Sequence, residues 1–337
     1  MRGLAPLCRL TYEQAMQASI SLTSGLRTEL RGFKLLRESA KLAGRALLHR
    51  RQTTAWLELL NSHPLFSQML PGCPRLVNKI YRNYLSSRLD CYQRLDALQT
   101  HYRTVIAEGL APLVARAAAG PVEMARLQTR EGHYTVQLRA GGVLCREGEL
   151  IFQLMQDDIL VYSVACSFVR EGFQVLLGVG CLQGAAGSAA QDSVREASRA
   201  LHGMRPKNFL MRLVRQFGHE HGCAGLMLVG NANRVVTKSM RKGKVHADYD
   251  SLWLELGARQ RRDGDFDLSC EALPALDLSE IASKKRSEAR KRHEMLTAAL
   301  ADVREQIARS KRALVPLRLV APRAPVTVAE LRLRRLA

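Results

Sequence analysis

Three short stretches of the chain have residue types and spacing that could do chemistry. The first is Gly203-Met204-Arg205-Pro206-Lys207-Asn208, a predicted helix start. A helix N-terminus offers free backbone amides and a partial positive charge, so it favours anions. Pro206 lacks only an N–H that would be unpaired there anyway, and Arg205 and Lys207 add charge. The second stretch is polar: Asn231, Asn233, Arg234, His246, Asp248 and Asp250 follow the apolar run Leu226 to Val229. A strand end and its following loop could line a substrate pocket with these groups, or they could form an ordinary loop with Asn and Asp turn chemistry. The third is His219-Glu220-His221-Gly222-Cys223. Residues i and i+2 do not share a helix face, and a fourth ligand is missing, so a helix end capped by Gly222 is expected rather than a metal site.

Other chemistries lack their residues. No G-x-S-x-G, H-E-x-x-H or G-x-x-x-x-G-K-[ST] occurs, which argues against serine hydrolysis, zinc proteolysis and P-loop nucleotide hydrolysis. The eight cysteines are widely spaced with no C-x-x-C, the pattern of free buried thiols in a reducing compartment.

The elements that must position these groups can be read from periodicity. Residues 1–110 are expected to be helical, with Leu26, Leu30, Phe33 and Leu36 at three- and four-residue spacing. The proline-containing segment 63–74 should be irregular, and two further helices should follow to about Glu108. The pattern changes near Gly120. Runs at 133–139, 149–155, 159–169 and 173–182 are β-branched or aromatic, with short polar turns between them, and predict an antiparallel meander. Helices over 193–201 and 204–219, a strand at 226–229, a helix over 248–256 and a last strand at 265–268 come next. From Ser283 a long basic helix carries Leu296, Leu300, Val303 and Ile307 on one stripe. The fold class is therefore α+β: a basic helical region (1–110), a mixed core (120–280) and a basic helix with tail (281–337).

Charge follows the same division. Of 337 residues, 51 are Lys or Arg and 31 Asp or Glu, a net charge of +20. Residues 1–110 carry 16 basic and 7 acidic side chains, and residues 281–337 carry 15 and 5, so nearly all the excess lies in the flanks. Such ends are expected to meet an anionic membrane surface or an acidic protein partner. With aromatics at 5% and no reader motif, nucleic-acid binding should be weak and non-specific. No apolar run approaches the roughly 20 residues of a spanning helix, and no secretory signal is evident, so a cytoplasmic protein, peripheral at the inner membrane if it docks there, is expected. Oligomeric state is not legible.

Several of these residues carry a resemblance. Gly203 to Lys207, Gly230-Asn231-Ala232-Asn233-Arg234-Val235, Lys244 to Asp250 and Trp253 resemble the bacterial VirK/YbjX family. Tyr84-Leu85, His101-Tyr102, Glu147-Gly148-Glu149-Leu150, Leu182-Gln183-Gly184 and Ser283 to Arg286 fit it in the same order, over roughly residues 60–310. The resemblance implies a domain of unknown biochemical function associated with virulence, envelope integrity and antimicrobial-peptide resistance. The element order after Gly172 also looks like the second half of the acyl-CoA-dependent N-acetyltransferase (GNAT) fold. That likeness implies acyl-CoA as cofactor at Gly203, Arg205, Pro206, Lys207 and Asn208, with Asn231, Asn233 and Arg234 toward substrate. The usual Gln/Arg-x-x-Gly-x-Gly turn is replaced by Gln183-Gly184-Ala185-Ala186-Gly187. The general-acid tyrosine falls at Trp253, which cannot protonate a thiolate, leaving His246, Tyr249 and Asp248 as catalytic candidates. Whether the chain is an enzyme stays open at this level; if it is, acyl-CoA-dependent acyl transfer is the reaction implied.

Overall fold

The computed structural model describes residues 19–26, 30–129, 132–142, 144–185, 190–236 and 247–312. It has an α+β architecture. In chain order, α1 (Gly32–Leu48), α2 (Arg50–Leu60), α3 (Pro64–Met69), a 3-10 turn (Leu76–Tyr81), α4 (Cys91–Ala107) and α5 (Ala111–Ala119) precede five strands. These are β1 (Val122–Gln128), β2 (His133–Ala140), β3 (Leu150–Gln156), β4 (Ile159–Glu171) and β5 (Gln174–Gly184). Then come α6 (Ala190–Ala200), α7 (Pro206–Glu220), β6 (Gly225–Leu228), α8 (Tyr249–Glu255), β7 (Arg259–Gln260), β8 (Phe266–Ser269) and α9 (Ser283–Arg312).

The strands form one eight-stranded sheet in the order β1-β2-β3-β4-β5-β6-β8-β7. Every neighbouring pair is antiparallel except β5 with β6, which run parallel over Leu177–Val179 against Leu226–Leu228. The meander over β2–β5 follows the sequence expectation, because alternating β-branched runs separated by short turns pair most cheaply with their neighbours. Strand β1 and helix α5 were not expected; they lie at the pattern change near Gly120. Segment 63–74 is not wholly irregular. Pro64 sits at a first-turn position, and His63 Nδ1 accepts the Leu65 N–H, so proline starts α3 rather than preventing it. The first of the two helices expected between residue 74 and Glu108 is a 3-10 turn over Leu76–Tyr81, and Leu85 adopts a positive φ of 56°.

One hydrophobic core takes side chains from Ile20 to Ile307, so the helical region, the sheet and α9 share it. Leu296, Leu300, Val303 and Ile307 are all buried, as the stripe predicted. The stripe begun at Leu26 divides instead: Leu26 is buried, while Phe33 and Leu36 are 77% and 68% exposed. Cys73, Cys91, Cys166, Cys181 and Cys223 are buried free thiols. Helix α7 ends at Glu220 with Gly222 at φ 70°, the expected glycine stop, and the described residues contain no cluster able to hold a metal ion.

Candidate functional site

The start of α7 puts its two cations on a neighbouring helix. Arg205 donates to Glu255 Oε1 at 2.9 Å and Lys207 to Oε2 at 2.6 Å, at the end of α8. The Lys207 hydrogen bond, with the charges of both cations, holds the Glu255 carboxyl below its ordinary range. Pro206 is buried at the first helical turn, Gly203 has φ 76°, and the Asn208 Oδ1 is buried without a partner among the described residues.

The polar stretch after β6 does come together. Asn231 donates to Asp248 Oδ1 at 2.7 Å and accepts the Tyr249 N–H at 2.9 Å, while its own N–H goes to Asp250 at 2.8 Å. Asp248 also caps α8 through the Ser251 N–H. Asn233 donates to Asp265 Oδ1 at 2.8 Å. Arg234 donates to the Ala247 carbonyl and lies 3.6 Å from the Tyr249 ring centre, a cation–π contact. His246 lies outside the described residues. Asn231, Asp248 and Asp250 use one another as partners and, with the Arg234 contact to Tyr249, tie α8 to the segment after β6, while Asn233 ties that segment to Asp265.

Tyr249 lies where the parallel pair opens. Beyond Val179 and Leu228, β5 continues to pair with β4 while β6 ends. The Tyr249 hydroxyl accepts the Leu182 N–H at 2.9 Å and donates to Cys181 Sγ at 3.3 Å. Trp253 packs edge-on to it at 5.3 Å and donates to the Val229 carbonyl at 3.0 Å. Both rings are fully buried, and burial drives the Tyr249 hydroxyl well above its ordinary range and the Cys181 thiol up to about 12.

The Glu147-Gly148-Glu149 motif crosses the same region. A bulge between Ala165 and Cys166 leaves Gly180 as the extra residue on β5. A Cβ at Gly180 would stand 2.1 Å from the Glu147 carbonyl oxygen, and one at Gly148 2.4 Å from the Cys166 nitrogen. Only glycine permits that approach. The two carboxylates then meet opposite surroundings. Glu149, although burial opposes its charge, is held below its ordinary range by Lys79, whose Nζ lies 2.5 Å from Oε1; the Tyr102 hydroxyl donates to Oε2 at 2.5 Å. The Glu149 N–H goes to Ser167 Oγ, which also bonds the Tyr84 hydroxyl. His101 accepts the Phe168 N–H on Nδ1, and burial lowers its pKa to about 4, so the ring is neutral.

Among the described residues Glu147 has no such ammonium against it. Burial pushes its carboxyl up to about 7, against the pull of Arg146 and Arg234. A folded pKa above the unfolded value means the native state holds the extra proton between about pH 4.5 and 7, so this group's contribution to stability is full at low pH and is lost as pH rises through 7. Glu147→Gln is expected to stabilise the protein at pH 8 by about 2 kcal/mol, with the gain shrinking toward pH 5. Urea melts at both pH values check this; a gain that is the same at both would refute it.

A second concentration of charged side chains faces a concavity elsewhere. A cleft of about 660 Å³ is lined by Lys34, Arg37 and Arg45 of α1, by Arg75, Asn78, Tyr81 and Arg82 around the 3-10 turn, and by Arg146 and Val235. Among the described residues its one carboxylate, Glu38, already bonds Lys41 and Arg37. Arg146 donates to the Val235 carbonyl at 2.7 Å, while its Nε and the Asn78 Oδ1 are buried with no partner among the described residues. Sequence reasoning placed Lys34, Arg37, Arg45, Arg75 and Arg82 only in a basic helical flank, and did not single out Arg146. The net charge of 1–110 was the available signal, but segments far apart in the chain had to meet before a cleft existed.

Comparison with known proteins places the chain in a family. It is 27% identical over 262 residues to the uncharacterized protein YbjX of Escherichia coli strain K12, covering 75% of this chain and 78% of that one. It is 24% identical over 280 residues to an uncharacterized protein of Haemophilus influenzae, covering 81% and 91%. No solved structure matches it. The family model described as "Protein of unknown function (DUF535)" matches residues 31–305, and the chain belongs to that family.

Proposed function

We propose that this DUF535 protein is a non-enzymatic binding protein that holds a phosphate-bearing anion in the cleft beside α1. The observation that carries the reading is the set of six cations, Lys34, Arg37, Arg45, Arg75, Arg82 and Arg146, around one volume whose one carboxylate among the described residues, Glu38, is already bonded. Arginine forks match phosphate oxygens in pairs, and the cleft is within the usual size of ligand sites. The association with the envelope and antimicrobial-peptide resistance, implied by the VirK/YbjX resemblance, accords with an anionic ligand at the inner membrane. Titration with tripolyphosphate is expected to release heat, and Arg45→Gln with Arg75→Gln to weaken binding at least tenfold. No heat with the wild-type protein would refute the reading.

A second reading has specific support. The element order that suggested the GNAT likeness, a strand, helices, a strand, a helix and a strand after Gly172, supports it, as does a helix that begins at Pro206 within Gly203 to Asn208. In that reading acyl-CoA binds at Gly203, Arg205, Pro206, Lys207 and Asn208, with Asn231, Asn233 and Arg234 toward substrate and His246, Tyr249 and Asp248 as catalytic candidates. Against it, the opening is filled by Tyr249 and Trp253, and Arg205 and Lys207 already hold Glu255. Acetyl-CoA separates the two, since its phosphates could enter either place. Binding lost with Arg45→Gln and Arg75→Gln supports the cleft; binding lost with Arg205→Gln and Lys207→Gln supports the acyl-CoA site.

A further inference from the structure

Helix α1 presents three distinct faces. Leu42 is its one buried side chain, with Leu35 and Ala46 half-buried at the same spacing. Lys34, Arg37, Lys41 and Arg45 form a second face, and three of these four line the cleft. The third face is apolar and open. Phe33, Leu36, Ala40, Ala43 and Leu47 follow a three-four-three-four spacing, and all five are exposed, Phe33 to 77% and Leu47 to 69%. Among the described residues nothing covers this stripe.

An exposed apolar stripe of this length marks an interaction surface, and the adjoining charge identifies its chemistry. Residues 31–51 contain seven Lys or Arg and one acidic residue, Glu38. A helix with Phe and Leu on one face and Lys and Arg beside it is suited to lie in the plane of a bilayer surface, with its apolar face about 5–10 Å into the headgroup region. Its 17 residues would extend roughly 25 Å along that surface. A second copy of the chain fits poorly, because stripe-to-stripe pairing would bring two strongly cationic helices together. No helix among the described residues is long and apolar enough to cross a membrane, so contact through α1 would be peripheral.

We infer that α1 docks this protein on an anionic phospholipid bilayer, its apolar stripe entering the interface and a lipid phosphate entering the cleft on its cationic side. The inference rests on the cleft reading for the phosphate and on the stripe for the bilayer, and the two can fail separately. Binding draws on buried apolar area and on attraction to anionic lipid together, so it should need both.

The test uses the full chain with vesicles of phosphatidylcholine alone and of phosphatidylcholine mixed with phosphatidylglycerol, read by co-sedimentation. Partitioning to the anionic vesicles is expected to exceed that to the neutral ones at least tenfold and to fall as salt is added. The variant Phe33→Ser/Leu36→Ser/Leu47→Ser changes only exposed positions, so its thermal melt should match the wild type. It should lose at least tenfold in vesicle binding and keep its affinity for tripolyphosphate. The Arg45→Gln/Arg75→Gln variant should weaken in both measurements. Vesicle binding that ignores the serines, or that is equal on neutral lipid, overturns the docking inference. A concentration-dependent dimer that the serines abolish, without vesicle binding, also overturns it and assigns the stripe to a second copy. Serine-sensitive binding to anionic vesicles with no response to tripolyphosphate upholds the stripe and overturns the cleft reading.

Discussion

Lys79→Met is expected to destabilise the protein by about 3–5 kcal/mol, the usual cost of removing one partner of a buried ion pair. Glu149 is 1% exposed and Lys79 7% exposed; the carboxylate bonds Lys79 and Tyr102, while the Glu149 N–H donates to Ser167 Oγ, which also bonds the Tyr84 hydroxyl. Without the ammonium, a carboxylate is left charged in the core or must take up a proton. The pH dependence follows from that choice. In the wild type the depressed Glu149 carboxyl contributes stability above its unfolded pKa, and that contribution is lost as pH falls through the folded value. In Lys79→Met the carboxyl is driven upward, so the deficit should be largest at pH 7 and shrink toward pH 4. Adding Glu149→Leu to Lys79→Met should recover much of the loss, because a buried pair replaced by apolar groups can be nearly neutral. Urea melts of the two single variants and the double variant give the coupling directly. A Lys79→Met protein that melts like the wild type would show that the pair is dispensable.

Trp253→Ala should cost a similar amount, about 3–5 kcal/mol, for a different reason. The indole is fully buried, packs edge-on against Tyr249 and donates to Val229 where β6 ends. Truncation leaves a cavity beside the opening of the parallel pair and an unpaired carbonyl. Trp253→Phe should lose less, about 1–2 kcal/mol, since it keeps most of the apolar volume and gives up the donor. Thermal or urea melts rank the two; equal losses would contradict the cavity argument. The same variants address function. If the filled opening is a blocked acyl-CoA site, Trp253→Ala should gain affinity for acyl-CoA; under the cleft reading its affinity should not change.

Much of the fold was legible. The alternation in 133–139, 149–155, 159–169 and 173–182 became β2 to β5, and the stripe from Leu296 to Ile307 became the buried side of α9. Asn231, Asn233, Arg234 and Asp248 were singled out and do converge around the start of α8, because they lie within 18 residues of one another in the chain. Other features were out of reach. Lys79 and Glu149 are 70 residues apart, and an isolated lysine near a helical pattern gives no sign that it will be buried. Phe33 and Leu36 have the spacing of core residues, yet the body of the protein meets α1 through Leu42 instead.

The sequence by itself determined the α+β class, the antiparallel meander, the long basic helix and the charge of the two flanks. These are set by period, turn residues and composition, which are local properties of the chain. Tertiary structure alone decided that Tyr249 and Trp253 fill the opening beside β5, that Glu255 holds Arg205 and Lys207, and that cations from α1, the 3-10 turn and Arg146 enclose one cleft. Burial and electrostatic pairing depend on which distant segments pack together, and a side chain's own neighbours in sequence do not carry that information.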